Sequence, residues 1–399
     1  MNSQETGEGG LQTRSRRNPK SFFLRSAILV LAMLVPVSVH AESLVERLIS
    51  KDPTIRLSAQ DELKHLDSQT RGQLVTPVAQ WLYDADSEIR EHAGFVLFQI
   101  GVAAIPALAQ AAEKGALATR QAALGAVIDI GRYDWLNPAT TDQVIPVLSK
   151  ALKDSEPDIR LAAATALGDM GSRDHSPARA AIPDLIPLLD DAVVSVRFRA
   201  AIALAKLEPH AGKAIPVLTE GLRNEDPFIR SDSAWAMGLM GEEANEAVPP
   251  LLLLLKDADD RVQLSAAQAL ARIDPKVREP IPVLMALLHH RHAGVRSRAA
   301  EVLEELVGPG DQEVVRALTK SLGDEDANVR AHAIPALGKI GPAAKDAVPV
   351  LIQTLRDANA YEQPSIVWAL ESIGTPEAIT TVERFRKENP SVPRIPLRR

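Results

Sequence analysis

A period of about 33 residues constrains this chain more than any other feature. Arg197, Arg230, Arg296 and Arg330 each follow a β-branched or neighbouring apolar position and stand 33, 66 and 34 residues apart, with Gln263 in the skipped slot. Arg56, Arg90, Arg120 and Arg160 continue the series upstream at less regular gaps. Ile182-Pro183, Ile215-Pro216, Val248-Pro249, Ile281-Pro282 and Val348-Pro349 keep the same step. A repeat this short cannot bury its own apolar face, so each unit must stack on its neighbours. The period therefore predicts one elongated array where 399 residues alone would suggest two or three globular domains.

Each unit reads as a pair of helices. In the stretch 213–241, Pro216 falls in the first turn of a helix, where its missing amide costs nothing. Ile215, Leu218 and Leu222 give that helix an apolar stripe at spacings of 3 and 4. Arg223-Asn224-Glu225 forms a turn, and Asp226-Pro227 supplies an N-cap and first residue for a second helix. Ile229, Ser233, Ala234, Ala236, Met237 and Met240 make its buried face, and Gly241 ends it. Asp52, Asp86, Asp226, Asp259, Asp326 and Asn359 occupy the same cap slot, four residues before the arginine position. Gly101, Gly131, Gly171, Gly241, Gly341 and Gly374 fall eleven residues after it and are expected to cap the helix C-terminally. Apolar residues make up 46% of the chain and aromatics only 4%, which suits closely stacked helices with Ala, Leu, Ile and Val between them.

This pattern resembles HEAT repeats, in the short form named after phycobilisome lyases, over roughly residues 44–388. The resemblance implies an all-α, right-handed α-solenoid of about ten HEAT-like helical hairpins. It also implies a ladder in which the second-helix arginines Arg90, Arg160, Arg197, Arg230, Arg296 and Arg330 bond to aspartates of the turns. Asp84, Asp154, Asp191 and Asp324 or their neighbours are the expected partners of Arg90, Arg160, Arg197 and Arg330. Gln263 and Gln363 depart from the pattern and predict weaker rungs.

The ends differ from the body. Arg14, Arg16, Arg17, Lys20 and Arg25 precede an uncharged apolar run from Ser26 to Val39, and Val39-His40-Ala41 offers small residues to a signal peptidase. The run is too short for a full span, which needs about 20 residues. Residues 1–41 are thus expected to be a signal peptide, and an uncleaved membrane anchor is the competing reading. Residues 42–388 form the array and 389–399 a basic, proline-rich, disordered tail. The expected location is periplasmic or extracellular. Without residues 1–41 the chain keeps 40 Lys+Arg against 50 Asp+Glu, a balance that opposes nucleic acid or anionic lipid as partner. The absence of cysteine excludes disulfides and thiolate chemistry.

Two gaps break the period. The 40 residues from Arg120 to Arg160 fit an insertion at Arg132–Pro138, and the 37 from Arg160 to Arg197 fit a longer loop at Ser172–Ala180. Both are expected to project from one edge. His289, His290 and His292 crowd a turn, with position 290 in the aspartate slot and 292 in the N-cap slot, so they read as surface histidines. The family includes the iron enzyme deoxyhypusine hydroxylase, whose ligands are His-Glu pairs, and bilin lyases. This chain has no His-Glu dipeptide, and an export signal does not suit an intracellular lyase. No metal or cofactor is expected.

Surface remains. The slot five residues after each arginine varies most, reading Phe95, Gly125, Thr165, Ile202, Trp235, Gln268, Glu301, Pro335 and Trp368. HEAT-like arrays line their concave side with second helices, so the resemblance implies a docking strip of Phe95, Phe98, Phe198, Ile202 and Trp235, with Trp135 on the insertion. The alternative is that these side chains fold onto the next repeat. The functional expectation is an exported, non-enzymatic protein-binding scaffold. The other reading is a lyase or oxidoreductase using second-helix carboxylates and histidines.

Overall fold

A computed structural model describes residues 39–171, 176–207 and 212–390, and every regular element among them is helical. The expected signal segment up to residue 38, part of the loop at Ser172–Ala180 and residues 391–399 of the tail lie outside the described residues. The chain divides into two compact units, Met1–Ala107 and Leu108–Arg399.

In the first unit, the helix Val39–Leu48 packs on Pro53–His65, and Ser87–Ile100 follows a broken first helix of Ser68–Gln73, Val75–Ala79 and the 3-10 turn Gln80–Tyr83. Leu44, Val45, Leu48, Leu63, Val78, Leu82, Val96 and Leu97 are buried. A chain starting at Glu42 keeps the buried Leu44, Val45 and Leu48 of its first helix. Asp52 and Asp86 cap as expected, accepting from Thr54 N–H at 2.8 Å and Glu88 N–H at 3.0 Å. The stretch Ser87–Lys114 is long and apolar enough in composition to cross a membrane. It is not one rod, because Gly101 at φ +83° turns the chain into a 3-10 segment, Gly101–Ala104.

In the second unit, second helices from Leu117–Tyr133 to Gln363–Ile373 stack in sequence order. Their alanines make the contact. Ala200, Ala203, Ala234, Ala236, Ala266, Ala269, Ala299 and Ala333 are fully buried or nearly so. Gly238 sharpens the point, since a Cβ there would stand 2.8 Å from Ala269 Cα. Small side chains let two backbones approach, and dispersion across that seam holds the stack. Leu218, Leu251, Leu284, Leu318 and Leu351 come in from the first helices, every one of them inaccessible. The architecture is an all-α solenoid.

Two expectations about glycine and insertions are corrected. Gly101, Gly241, Gly341 and Gly374 take positive φ at helix ends, but Gly131 and Gly171 do not. Gly131 lies inside Leu117–Tyr133, with Val144 Cγ1 2.9 Å from a notional Cβ, whereas Gly171 does end Pro157–Met170 as expected, at φ −84°, and a Cβ there would stand 2.3 Å from Leu207 Cδ2. The extra residues between Arg120 and Arg160 do not project as a loop. They lengthen helices: Leu117–Tyr133 has 17 residues and Pro138–Ala151 has 14, leaving a four-residue turn that Asn137 caps.

Candidate functional site

The arginine ladder is the most regular polar feature. Each ladder residue reaches back to a backbone carbonyl of its own turn: Arg90 to Asp84 O at 2.7 Å, Arg160 to Asp154 O at 2.8 Å, Arg197 to Asp191 O at 3.1 Å and Arg330 to Asp324 O at 2.9 Å. Gln263 keeps this contact, donating to Asp257 O at 2.7 Å. The carboxylates, however, meet the arginine one repeat upstream, so the expected pairing within each repeat is displaced. Arg160 binds Asp191 through Nε and NH2 at 2.7 and 2.9 Å, Arg230 binds Asp257 at 2.8 and 2.9 Å, and Arg296 binds Asp324 at 2.8 and 2.9 Å. Arg120 pairs with Asp154 at 3.0 Å, and Arg330 reaches Glu362 at 2.9 Å.

Each of these aspartates also accepts the N–H two residues on: Asp191 from Val193, Asp257 from Asp259 and Asp324 from Asp326, all at 2.9 Å. One residue thus joins three things: its own repeat's arginine (Gln263 at Asp257) through its carbonyl, the previous arginine through its carboxylate, and the next helix through the cap. Charge-assisted, bidentate geometry makes such pairs strong. The arginine bonds hold the Asp191, Asp257 and Asp324 carboxyls below their ordinary range, and the same bonds raise Arg160, Arg230 and Arg296. Asp84 carries no arginine on its carboxylate; it accepts the Asp86 N–H at 2.9 Å.

The predicted aromatic strip is not one surface. In the first unit, Phe95 is 46% exposed, and its ring lies 6.0 Å from that of half-buried Phe98. In the second unit, Phe198 and Ile202 are buried, with Phe198 Cε1 packed against Gly221. That corrects their assignment as accessible docking residues. Gln268, in the same variable slot as Ile202, is buried too. Trp235 and Trp135 are half-buried. Trp368 covers Gly338, taking the space of a side chain there.

The second-helix face of this unit carries paired charges. Arg132 and Lys206 both close on Asp169, at 3.0 and 2.9 Å, and the Lys206 ammonium lies 5.4 Å from the Trp235 ring centroid. Arg298 bridges Gln268 and Glu301 at 2.7 and 2.6 Å, and Glu304 meets His332 at 2.9 Å. The Arg132, Asp169 and Lys206 row was readable in principle, because the two steps are each 37 residues and the charges alternate. Of the clustered histidines, His290 is built into the turn. Its Nδ1 accepts the His292 N–H at 3.0 Å, as an aspartate does elsewhere, and its Nε2 lies 2.9 Å from Asp260.

HEAT repeats match this chain at residues 126–194, 182–271, 248–326, 281–362 and 315–397, together more than half of its length. The chain belongs to the HEAT-repeat family. No curated protein matches it. Among solved structures, the HEAT array is similar to a crystal structure of an engineered protein, at 24% identity over 86% of this chain and 91% of that one, with a TM-score of 0.45. A second engineered protein is 26% identical over 57% of this chain and 96% of its own, at a TM-score of 0.34. Importin beta is 17% identical over 89% of this chain, at a TM-score of 0.45, and the HEAT array spans 54% of its length.

Proposed function

We propose that this HEAT array is an exported scaffold that holds a protein partner on its second-helix face, with Trp235 as the anchor in the second unit. The placement of Trp235 carries the reading. A half-buried indole lies beneath Lys206, with Asp169, Arg199 and Asp232 close by in paired contacts. An aromatic inside a polar rim is the usual form of an interface hot spot. Phe95 with Phe98 is the corresponding feature of the first unit. The basic and apolar stretch before Glu42 supports export. The 33-residue step and the arginine rungs support the short, phycobilisome-lyase-type class of repeat.

The test is recovery of partners on residues 42–399 from the cell envelope, with Trp235→Ala run in parallel. The expected result is one protein at near-stoichiometric yield with the parent chain and at least tenfold less with the variant. Thermal unfolding of the two should differ by only a few degrees. Equal recovery on both chains would remove Trp235 from the interface. A stoichiometric metal or pigment on the parent chain would instead favour the enzymatic reading.

A further inference from the structure

Within the second unit, and among the described residues, one rung of the ladder keeps its arginine but lacks the aspartate. At the three bidentate joints the outer edge of the guanidinium, Nε with NH2, meets both oxygens of an aspartate at 2.7–2.9 Å. The residue that should serve Arg197 in this way is Asn224, by its place in the turn. Asn224 still does the capping work, its Oδ1 accepting the Asp226 N–H at 2.9 Å. That bond fixes the orientation of the amide, so Nδ2 stands where an aspartate would offer its second oxygen. Among the described residues, neither Asn224 Nδ2 nor Arg197 Nε finds an acceptor. The rung therefore presents donors on both sides and nothing to receive them.

A second irregular joint of the same unit provides an internal comparison. There His290 replaces the aspartate and Gln263 replaces the arginine, so no guanidinium is left over. At Arg197 only the acid has gone. Among the described residues the arginine's one carboxylate ion pair is with Glu220 at 3.3 Å, through one oxygen of a side chain that is 58% exposed. The aspartates of complete rungs are only 7–12% exposed. A single long contact of an exposed acid contributes little, so displacing it costs little. Glu220 and Asn224 line an open recess that Arg223 also borders, and Arg223 has no side-chain partner among the described residues.

We propose that the Arg197–Asn224 joint binds an acidic side chain of the partner, whose carboxylate completes the rung that the chain leaves open. Arg197 Nε and NH2 would take the two oxygens, Asn224 Nδ2 would donate to one of them, and Arg223 would balance the remaining charge of the acidic segment. Glu225 lines the same recess, so one carboxylate of the guest, held by directed bonds, is accommodated beside the charge of Arg223. The proposal deepens the scaffold reading and rests on it for the identity of the guest as a protein side chain.

The test uses the full chain and a fluorescein-labelled hexaglutamate peptide, followed by fluorescence anisotropy at pH 7 and 150 mM salt. Asn224→Asp fills the rung from within. The expected result is saturable binding to the parent chain, at least tenfold weaker binding to Asn224→Asp, and a higher Tm for that variant. Arg197→Lys should also weaken binding at least tenfold, because an ammonium cannot hold a carboxylate by two parallel bonds. Hexaglutamine should not compete. Equal affinity for the parent and Asn224→Asp, or no binding to the parent, would overturn the proposal, as would competition by inorganic phosphate at the peptide's own concentration. Failure here is separable from failure of the scaffold reading: a partner held through Trp235 but indifferent to Asn224→Asp would sink this inference alone.

Discussion

Replacing Asp191 with asparagine should convert a closed rung into the open form found naturally at Asn224. The asparagine keeps the cap on Val193, now made by a carboxylate oxygen at 2.9 Å, so the helix start is preserved. What is lost is the Arg160 Nε bond at 2.7 Å and the negative charge behind both bonds, while the capping oxygen, which also accepts Arg160 NH2 at 2.9 Å, stays in place. Bonds to charged groups contribute about 1.5–3 kcal/mol each, and breaking a fully buried pair costs about 3–5. Arg160 is 14% exposed and keeps its bonds to Asp154 O and Ser155 O at 2.8 and 3.0 Å, so water and carbonyls recover part of the loss. The expected cost is about 2–3 kcal/mol. Urea unfolding followed by far-UV circular dichroism would measure it. Amide exchange should quicken first in Pro157–Met170 and Val194–Leu207, because nearest-neighbour coupling localises damage in a repeat array. The double variant Arg160→Gln with Asp191→Asn removes both charges and should cost less than the two single changes added together. A cost below about 0.5 kcal/mol, the level of an ordinary exposed pair, or strict additivity in the double variant, would refute the idea that these rungs couple the repeats.

Acid should undo the ladder within a defined window. Asp191, Asp257 and Asp324 are held below the ordinary carboxyl value, so their stabilisation is complete above about pH 4 and drains as pH falls through their lowered native values. Urea midpoints should be flat from pH 7 to 5 and fall steeply below 4; a fall beginning near pH 6 would point to the histidines instead. Gly238→Ala should destabilise by about 1–3 kcal/mol because its Cβ meets Ala269. Gly125→Ala, in open space within a helix, should stabilise by about 0.5–1 kcal/mol, and thermal melts of the pair would show opposite signs. Removing residues 1–41 should leave Tm unchanged within a degree or two, since the buried Leu44, Val45 and Leu48 are retained.

The period, the caps and the apolar stripes were legible because each is a local property that repeats. Asp226 and Gly241 fill their places through rules that involve only a few neighbouring residues. The direction of the rungs was not legible. Arg160 has an aspartate six residues before it and another 31 residues after it, and which carboxylate it takes depends on how far one hairpin is advanced over the next. The fate of the variable slot was hidden for a similar reason. Ile202 and Trp235 share a sequence position, but an aliphatic chain can sink between neighbouring helices where an indole cannot. The insertion before Arg160 misled because helices can lengthen without any change in composition that marks the fact.

The displaced pairing also sets how the second unit should respond to force. A turn aspartate that grips both its own arginine and the previous one behaves as a stiff coupling between adjacent links. Where that grip is absent, at Arg197–Asn224 and again at Gln263–His290, the links are joined by apolar contact and by weaker polar pairs, Arg197–Glu220 at 3.3 Å and His290–Asp260 at 2.9 Å. Bending should therefore concentrate at these two joints, with the Arg230–Asp257 clasp moving as a rigid segment between them. An array of this kind is a spring of unequal stiffness, compliant near Trp235 and firm on either side.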